Sequence, residues 1–64
     1  LKAAALFNLG LANFRMGEAA KGEAQSQRIL DALRFNQQCA AIKSPFQAQA
    51  AKNVAAIKSQ YRLK

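Results

Sequence analysis

The scarcity of β-branched residues most constrains what this chain can fold into. Only four occur, at Ile29, Ile42, Val54 and Ile57, whereas alanine, leucine, glutamine, lysine and arginine dominate. The abundant residues are strong helix formers, and no stretch alternates apolar and polar residues with the period of two that strands need. The sequence therefore predicts an all-α fold, built from an antiparallel helical hairpin and a third helix.

Glycines divide the first part of the chain. The first predicted helix runs from about Lys2 to Met16 and ends at Gly17, because glycine readily adopts the left-handed conformation found at helix ends. The second predicted helix extends from about Glu18 to Ile42. The first corner is therefore expected at Gly17 and Glu18.

The start of the second predicted helix is weakly specified. Residues 18–27 offer only alanine as apolar content, and Gly22 costs about 1 kcal/mol relative to alanine within a helix. This segment is either a continuous, solvated helix or a frayed connection. Core contacts are expected to begin near Ile29.

The only proline marks a corner between helices. In Ser44-Pro45-Phe46-Gln47, serine occupies an N-cap position, proline the first helical turn, and glutamine the position three after the serine. This is the pattern of a capping box, and the proline also disfavours helical backbone at Ser44. The pattern predicts that a third helix runs from about Pro45 to Arg62.

The third predicted helix is amphipathic and basic. Its apolar stripe follows spacings of four, four, three and four residues, through Phe46, Ala50, Val54, Ile57 and Tyr61. Tyr61 is expected to be the last core residue of this helix. We therefore divide the chain into a hairpin over residues 1–43 and a following amphipathic basic helix over residues 44–64, both in the same domain.

The first predicted helix is apolar around most of its circumference. At 100° per residue, its larger apolar residues and one alanine fall on two sides: Leu6, Leu9 and Met16 on one, and Ala3, Phe7, Leu11 and Phe14 on the other. Too little polar surface remains for a helix on the outside of a globule. We expect either that this helix packs between two neighbouring elements or that one of its faces binds a partner.

The composition argues against catalysis and metal binding. The chain has no histidine, one cysteine and three carboxylates, whereas acid/base pairs, nucleophilic triads and zinc sites need such residues in close sets. We expect no enzyme, no catalytic or metal-ligating residue and no cofactor. Cys39 lies at helical spacing from Phe35 and Ile42 and is expected to be a buried apolar residue.

The charge is strongly positive and unevenly distributed. The net charge is +7, and every charged residue from Ala32 onward is basic. Such a field favours an acidic partner, a nucleic acid or an anionic membrane surface, or it serves solubility alone. The candidate anion-binding residues are Lys52, Lys58 and Arg62. A small basic helical module that binds nucleic acid is therefore the alternative function.

The length and hydropathy of the chain indicate whether it spans a membrane and whether it folds without support. No apolar run approaches the roughly 18 residues of a membrane-spanning helix, so no transmembrane segment is expected, and the sequence does not indicate a compartment. The chain begins in mid-pattern at Leu1, and a 64-residue domain buries limited surface. We expect a segment of a longer protein, supported by neighbouring repeats or by an oligomer.

Residues 4–18, AALFNLGLANFRMGE, resemble the first helix of a tetratricopeptide repeat (TPR). That family places a large apolar, an aliphatic, a small and an aromatic residue before a glycine-acid turn. The matching residues are Leu6, Leu9, Gly10, Phe14, Gly17 and Glu18, and Pro45 matches the family's proline after the second helix. The family's repeat spans about 34 residues, whereas the best internal match here pairs Asn8-Leu9-Gly10 with Asn53-Val54-Ala55, 45 residues later.

The resemblance implies a TPR-like α-solenoid fragment that acts as a protein-protein interaction scaffold in assembly. In such proteins the first helix of the hairpin lines a concave surface that binds extended peptides or partner helices. By position, this implies partner-binding roles for Phe7, Leu11, Phe14 and Arg15. The alternative is that the same face packs against an adjacent repeat or a second copy of the chain.

Overall fold

Residues 2–61, which this computed structural model describes, form three helices. They are α1 (Lys2–Ala19), α2 (Gly22–Ala40) and α3 (Gln47–Tyr61). Helix accounts for 87% of the described residues, and none of these residues lies in a strand. The predicted all-α fold is therefore confirmed.

Helices α1 and α2 form an antiparallel hairpin. The thiol of Cys39 lies 3.4 Å from the carbonyl oxygen of Ala3, to which it donates, and Gly10 lies against Asn36. Residues later in α1 contact residues earlier in α2, so the two helices run in opposite directions.

Helix α3 packs on α2 beside α1 and runs parallel to α1. Two aromatic pairs join α1 to the third-helix region. The rings of Phe7 and Phe46 have centroids 5.1 Å apart at a tilt of 31°, and those of Phe14 and Tyr61 meet edge to face at 6.4 Å. Aromatic pairs at these separations attract beyond their buried area, so they hold α3 against α1 at two separate levels.

The core consists of two apolar clusters with a polar layer between them. The first cluster contains Ala3, Leu6, Cys39 and Ala50. The second contains Ile29, Ala32, Leu33 and Ile57. Asn36, only 2% exposed, lies on α2 about one turn from each cluster. Cys39 is fully buried, which confirms its predicted role as a small core residue.

Helix α1 buries one central stripe instead of the two faces predicted. The buried residues follow helical spacing: Ala3, Leu6, Gly10, Asn13 and Gly17. Leu9 and Met16, which were grouped with Leu6, are 45% and 44% exposed. The side facing α2 is instead built largely from small and polar residues, because these allow the two helices to approach closely.

The first corner lies at residues 20–21, so the prediction that α1 ends at Gly17 was wrong. Gly22, with φ of 65°, adopts the left-handed conformation expected at that corner. A Cβ at Gly17 would lie 2.6 Å from Cδ1 of Ile29, so this glycine permits close packing. Residues 18–27 comprise the end of α1, this link and the first turns of α2. Ile29 is the first buried residue of α2, as expected.

The proline corner is held by two side chains, although they do not form the predicted capping box. The hydroxyl of Ser44 accepts a hydrogen bond from the backbone N–H of Phe46 at 3.2 Å. The Gln47 side chain donates to the carbonyl of Ala40 at 3.0 Å, at the end of α2. The Ser44 hydroxyl thus closes the turn that precedes α3, and the Gln47 side chain caps the end of α2. Helix α3 begins at Gln47, and its predicted end at Arg62 lies outside the described residues.

Candidate functional site

A groove lies between α1 and α3, with α2 at its base. Its cavity has a volume of about 220 Å³ and is lined by Gly10, Leu11, Phe14, Asn36, Asn53, Ala56 and Ile57. All three helices contribute residues to the lining, because α1 and α3 pack side by side against α2. The walls are mainly apolar, and the floor is a carboxamide.

The floor of the groove depends on the missing side chain of Gly10. A Cβ at this position would lie 2.6 Å from Nδ2 of Asn36 and 3.1 Å from its Cγ, closer than van der Waals contact allows. The absence of a side chain at Gly10 therefore lets α1 and α2 approach closely. The carboxamide of Asn36 thereby reaches the groove from α2.

Three carboxamides form a hydrogen-bonded chain along this floor. Gln49 donates to Oδ1 of Asn53 at 3.0 Å, and Asn53 donates through Nδ2 to Oδ1 of Asn36 at 3.2 Å. Asn36 donates in turn to the carbonyl of Ala32 at 2.8 Å. Each carboxamide nitrogen carries two N–H groups. The half-buried Asn53 uses one of them on Asn36, so the second can donate to a ligand.

Two of the four predicted partner-binding residues line the groove. They are Leu11, which is 40% exposed, and the half-buried Phe14. Phe7 is half-buried against Phe46 at one end of the contact between α1 and α3, outside the cavity lining. Arg15 is exposed and follows Leu11 by four residues, so it lies on the same helix face at the rim of the groove.

Sequence reasoning missed Asn36 and Asn53 as groove residues. Both occur among apolar residues that were assigned to helix faces, and a buried asparagine costs free energy unless it is hydrogen-bonded. An asparagine inside an apolar stripe is therefore the signal that points to a polar contact between helices. Asn53 also begins the later half of the internal match.

The candidate anion-binding residues do not gather at the groove. Lys52 is exposed and Lys58 half-buried, and their six-residue separation places them about 120° apart around α3. Arg62 lies outside the described residues. The two described lysines therefore point in different directions instead of forming one surface.

Within residues 2–61, no three potential metal-ligating side chains come together. None of the helices in this range combines the length and apolar character needed to cross a membrane.

No family model matches the sequence, and neither a curated protein nor a solved structure matches it. The groove and the charge distribution are therefore what bears on function.

Proposed function

We propose that this chain is a protein-interaction module that binds an extended peptide between α1 and α3 and acts in assembly, without catalysis. One observation carries the proposal: apolar walls and an oriented carboxamide, that of Asn53, share one cavity. The cavity of about 220 Å³ is smaller than the roughly 300–1,000 Å³ of sites for drug-sized molecules. Its size suits one apolar side chain of a peptide.

Two kinds of contact would hold such a peptide. Its apolar side chain would lie between Leu11 and Ile57, and the removal of these surfaces from water would stabilise the complex. The second N–H of Asn53 would donate to a main-chain carbonyl, which every peptide offers whatever its side chains. Arg15 at the rim would favour a peptide that carries a carboxylate.

The architecture supports a TPR-like reading of the fold. An antiparallel hairpin is followed by a third helix that runs parallel to the first, as expected of a hairpin and the opening helix of a following unit in a solenoid. The groove lies between those two parallel helices, where the resemblance of residues 4–18 places a binding surface.

A display library of random twelve-residue peptides, selected against the chain, tests the proposal. We expect Leu11→Ser to weaken binding of the selected peptide at least about tenfold, or about 1.4 kcal/mol, because a groove wall loses apolar surface. Leu30→Ser is the matched control, since Leu30 is 45% exposed on α2 and outside the groove lining. Far-UV circular dichroism checks that both variants remain helical.

Two results would exclude peptide binding in the groove. One is a selection that yields no peptide. The other is a selected peptide whose affinity falls equally with Leu11→Ser and Leu30→Ser, because the loss would then not be specific to the groove.

Nucleic-acid binding is the second candidate function, favoured by the net charge of +7 and by the uniformly basic second half. It predicts that affinity for an oligonucleotide falls steeply with salt, since phosphate contacts release counterions. Lys52→Gln should weaken such binding, whereas Leu11→Ser should leave it unchanged. Absence of binding at low ionic strength would remove this candidate.

A further inference from the structure

A second apolar surface lies on the side of α1 that faces away from α3. Leu9 and Met16 are 45% and 44% exposed, and Ala5 and Ala12 are exposed as well. These four residues follow one another at spacings of four, three and four, so they share one side of the helix. We call these four residues the α1 edge.

Helix α3 uses the same spacing to pack against the hairpin. Its corresponding residues are Ala50, Val54, Ile57 and Tyr61, each 45 residues after a member of the α1 edge. Ala50 and Ile57 are buried, and Val54 and Tyr61 are half-buried. The offset is that of the internal match between the two helices. The same four apolar positions are therefore packed against the hairpin in α3 and exposed in α1.

The surface that covers this pattern on α3 is a helix, α2. Ile29 and Leu33 of α2 belong to the same apolar cluster as Ile57, and Asn36 accepts a hydrogen bond from Asn53. The α2 residues follow spacings of four and three, which places them on one side of that helix. The chain thus contains an example of the partner that such an edge accepts.

We infer that the α1 edge docks one amphipathic helix of a partner protein, with acidic residues beside its apolar stripe. The basic residues around the α1 edge favour an acidic partner. The basic residues of α1, Lys2 and Arg15, are exposed, and its one carboxylate, Glu18, lies about 150° around the helix axis from the middle of the α1 edge. The exposed Arg28 of α2 reaches Asn13 of α1, with 3.2 Å between Nη1 and Oδ1.

A second copy of this chain is a poor occupant of the α1 edge. Each copy carries a net charge of +7, so two copies repel each other. The helix that fits the pattern, α2, already packs against both α1 and α3 in each copy. A separate acidic helix meets neither obstacle.

A peptide that copies residues 22–40 is the probe, because this helix accepts α3 within the chain. Arg28→Glu and Arg34→Glu make the peptide acidic, and Cys39→Ser prevents its oxidation. A lactam staple holds the peptide helical, since isolated helices of this length are only marginally stable. The control peptide keeps both arginines. Fluorescence anisotropy at low salt should show at least about tenfold tighter binding of the acidic peptide, a preference that shrinks as salt is raised.

Three variants of the full chain locate the binding surface. Leu9→Glu should weaken the acidic peptide at least about tenfold, because it places a carboxylate against an apolar stripe with acidic flanks. Leu30→Glu alters an equally exposed leucine and should change the affinity less than about twofold. Leu11→Glu alters the groove and should also leave the affinity unchanged, so the α1 edge and the peptide groove are tested separately.

Three outcomes would overturn the inference. The stapled acidic peptide fails to bind, or it binds with equal affinity to the wild-type chain and to Leu9→Glu. Alternatively, sedimentation equilibrium shows that the chain is a dimer which Leu9→Glu dissociates. The α1 edge would then be an interface between copies instead of a site for an acidic helix.

Discussion

Gly10→Ala is expected to destabilise this protein even though alanine is the better helix former. At an exposed helical position the substitution would stabilise by about 1 kcal/mol. Here the added Cβ would meet Nδ2 of Asn36 at 2.6 Å. Asn36 is 2% exposed, and its carboxamide is hydrogen-bonded to Ala32 and Asn53. It cannot turn away without breaking those bonds.

The expected magnitude follows from these competing effects. Overpacking costs roughly 1–3 kcal/mol, and the loss of one of the two hydrogen bonds of Asn36 costs about 1 kcal/mol. The gain in helix propensity offsets about 1 kcal/mol of this cost. The free energy of unfolding should therefore fall by about 1–3 kcal/mol. For a domain of this size, each kcal/mol lowers Tm by roughly 4–8 °C.

A double-mutant cycle with Asn36→Ala separates the clash from the propensity effect. In the Asn36→Ala background the added methyl group meets no carboxamide, so Gly10→Ala should stabilise the chain by up to about 1 kcal/mol. Urea and thermal unfolding, followed by circular dichroism at 222 nm, measure all four proteins. If Gly10→Ala has the same effect in both backgrounds, the contact with Asn36 does not set its cost.

Four further predictions concern the corners and the core. Ser44→Ala should lower the free energy of unfolding by about 1 kcal/mol, because the turn before α3 loses the hydrogen bond from the Phe46 N–H, and an unchanged urea midpoint would contradict this. Gln47→Ala should cost about 0.5–1.5 kcal/mol in the same assay, because the Ala40 carbonyl loses its donor; equal stability would show that this bond contributes nothing. Gly22→Ala should cost about 1–2 kcal/mol, because φ is 65° although nothing lies within 4 Å of the added methyl group; a neutral effect would argue against the left-handed conformation. The thiol of Cys39, which is fully buried, should react with an aromatic disulfide reagent only as the chain unfolds, and immediate reaction without denaturant would contradict its burial.

The helices and the proline corner could be predicted because their signals are local. Helix propensity and the turn made by Ser44 depend on residues within about a turn of each other. The first corner was misplaced because both Gly17 and Gly22 satisfy the local rule for a helix end. Their roles differ only because Ile29 packs against Gly17, whereas nothing lies near Gly22.

The candidate groove was predictable only in part. Leu11 and Phe14 were expected because residues 4–18 resemble the first helix of a tetratricopeptide repeat, and that resemblance assigns the first helix to the binding surface. Asn36 and Asn53 lie 17 residues apart on different helices. Their place in the groove follows from how α2 and α3 pack, which no local pattern specifies.

The amino-acid pattern alone determined that the chain forms helices, that a corner around Pro45 separates the second from the third, and that catalytic groups are scarce. Tertiary structure decided which side of each helix is covered. Leu6 and Leu9 have the same side chain and lie three residues apart in α1, yet one is 8% exposed and the other 45%. The physical reason is that helix formation depends on neighbours within about four residues, whereas burial depends on contacts between distant parts of the chain.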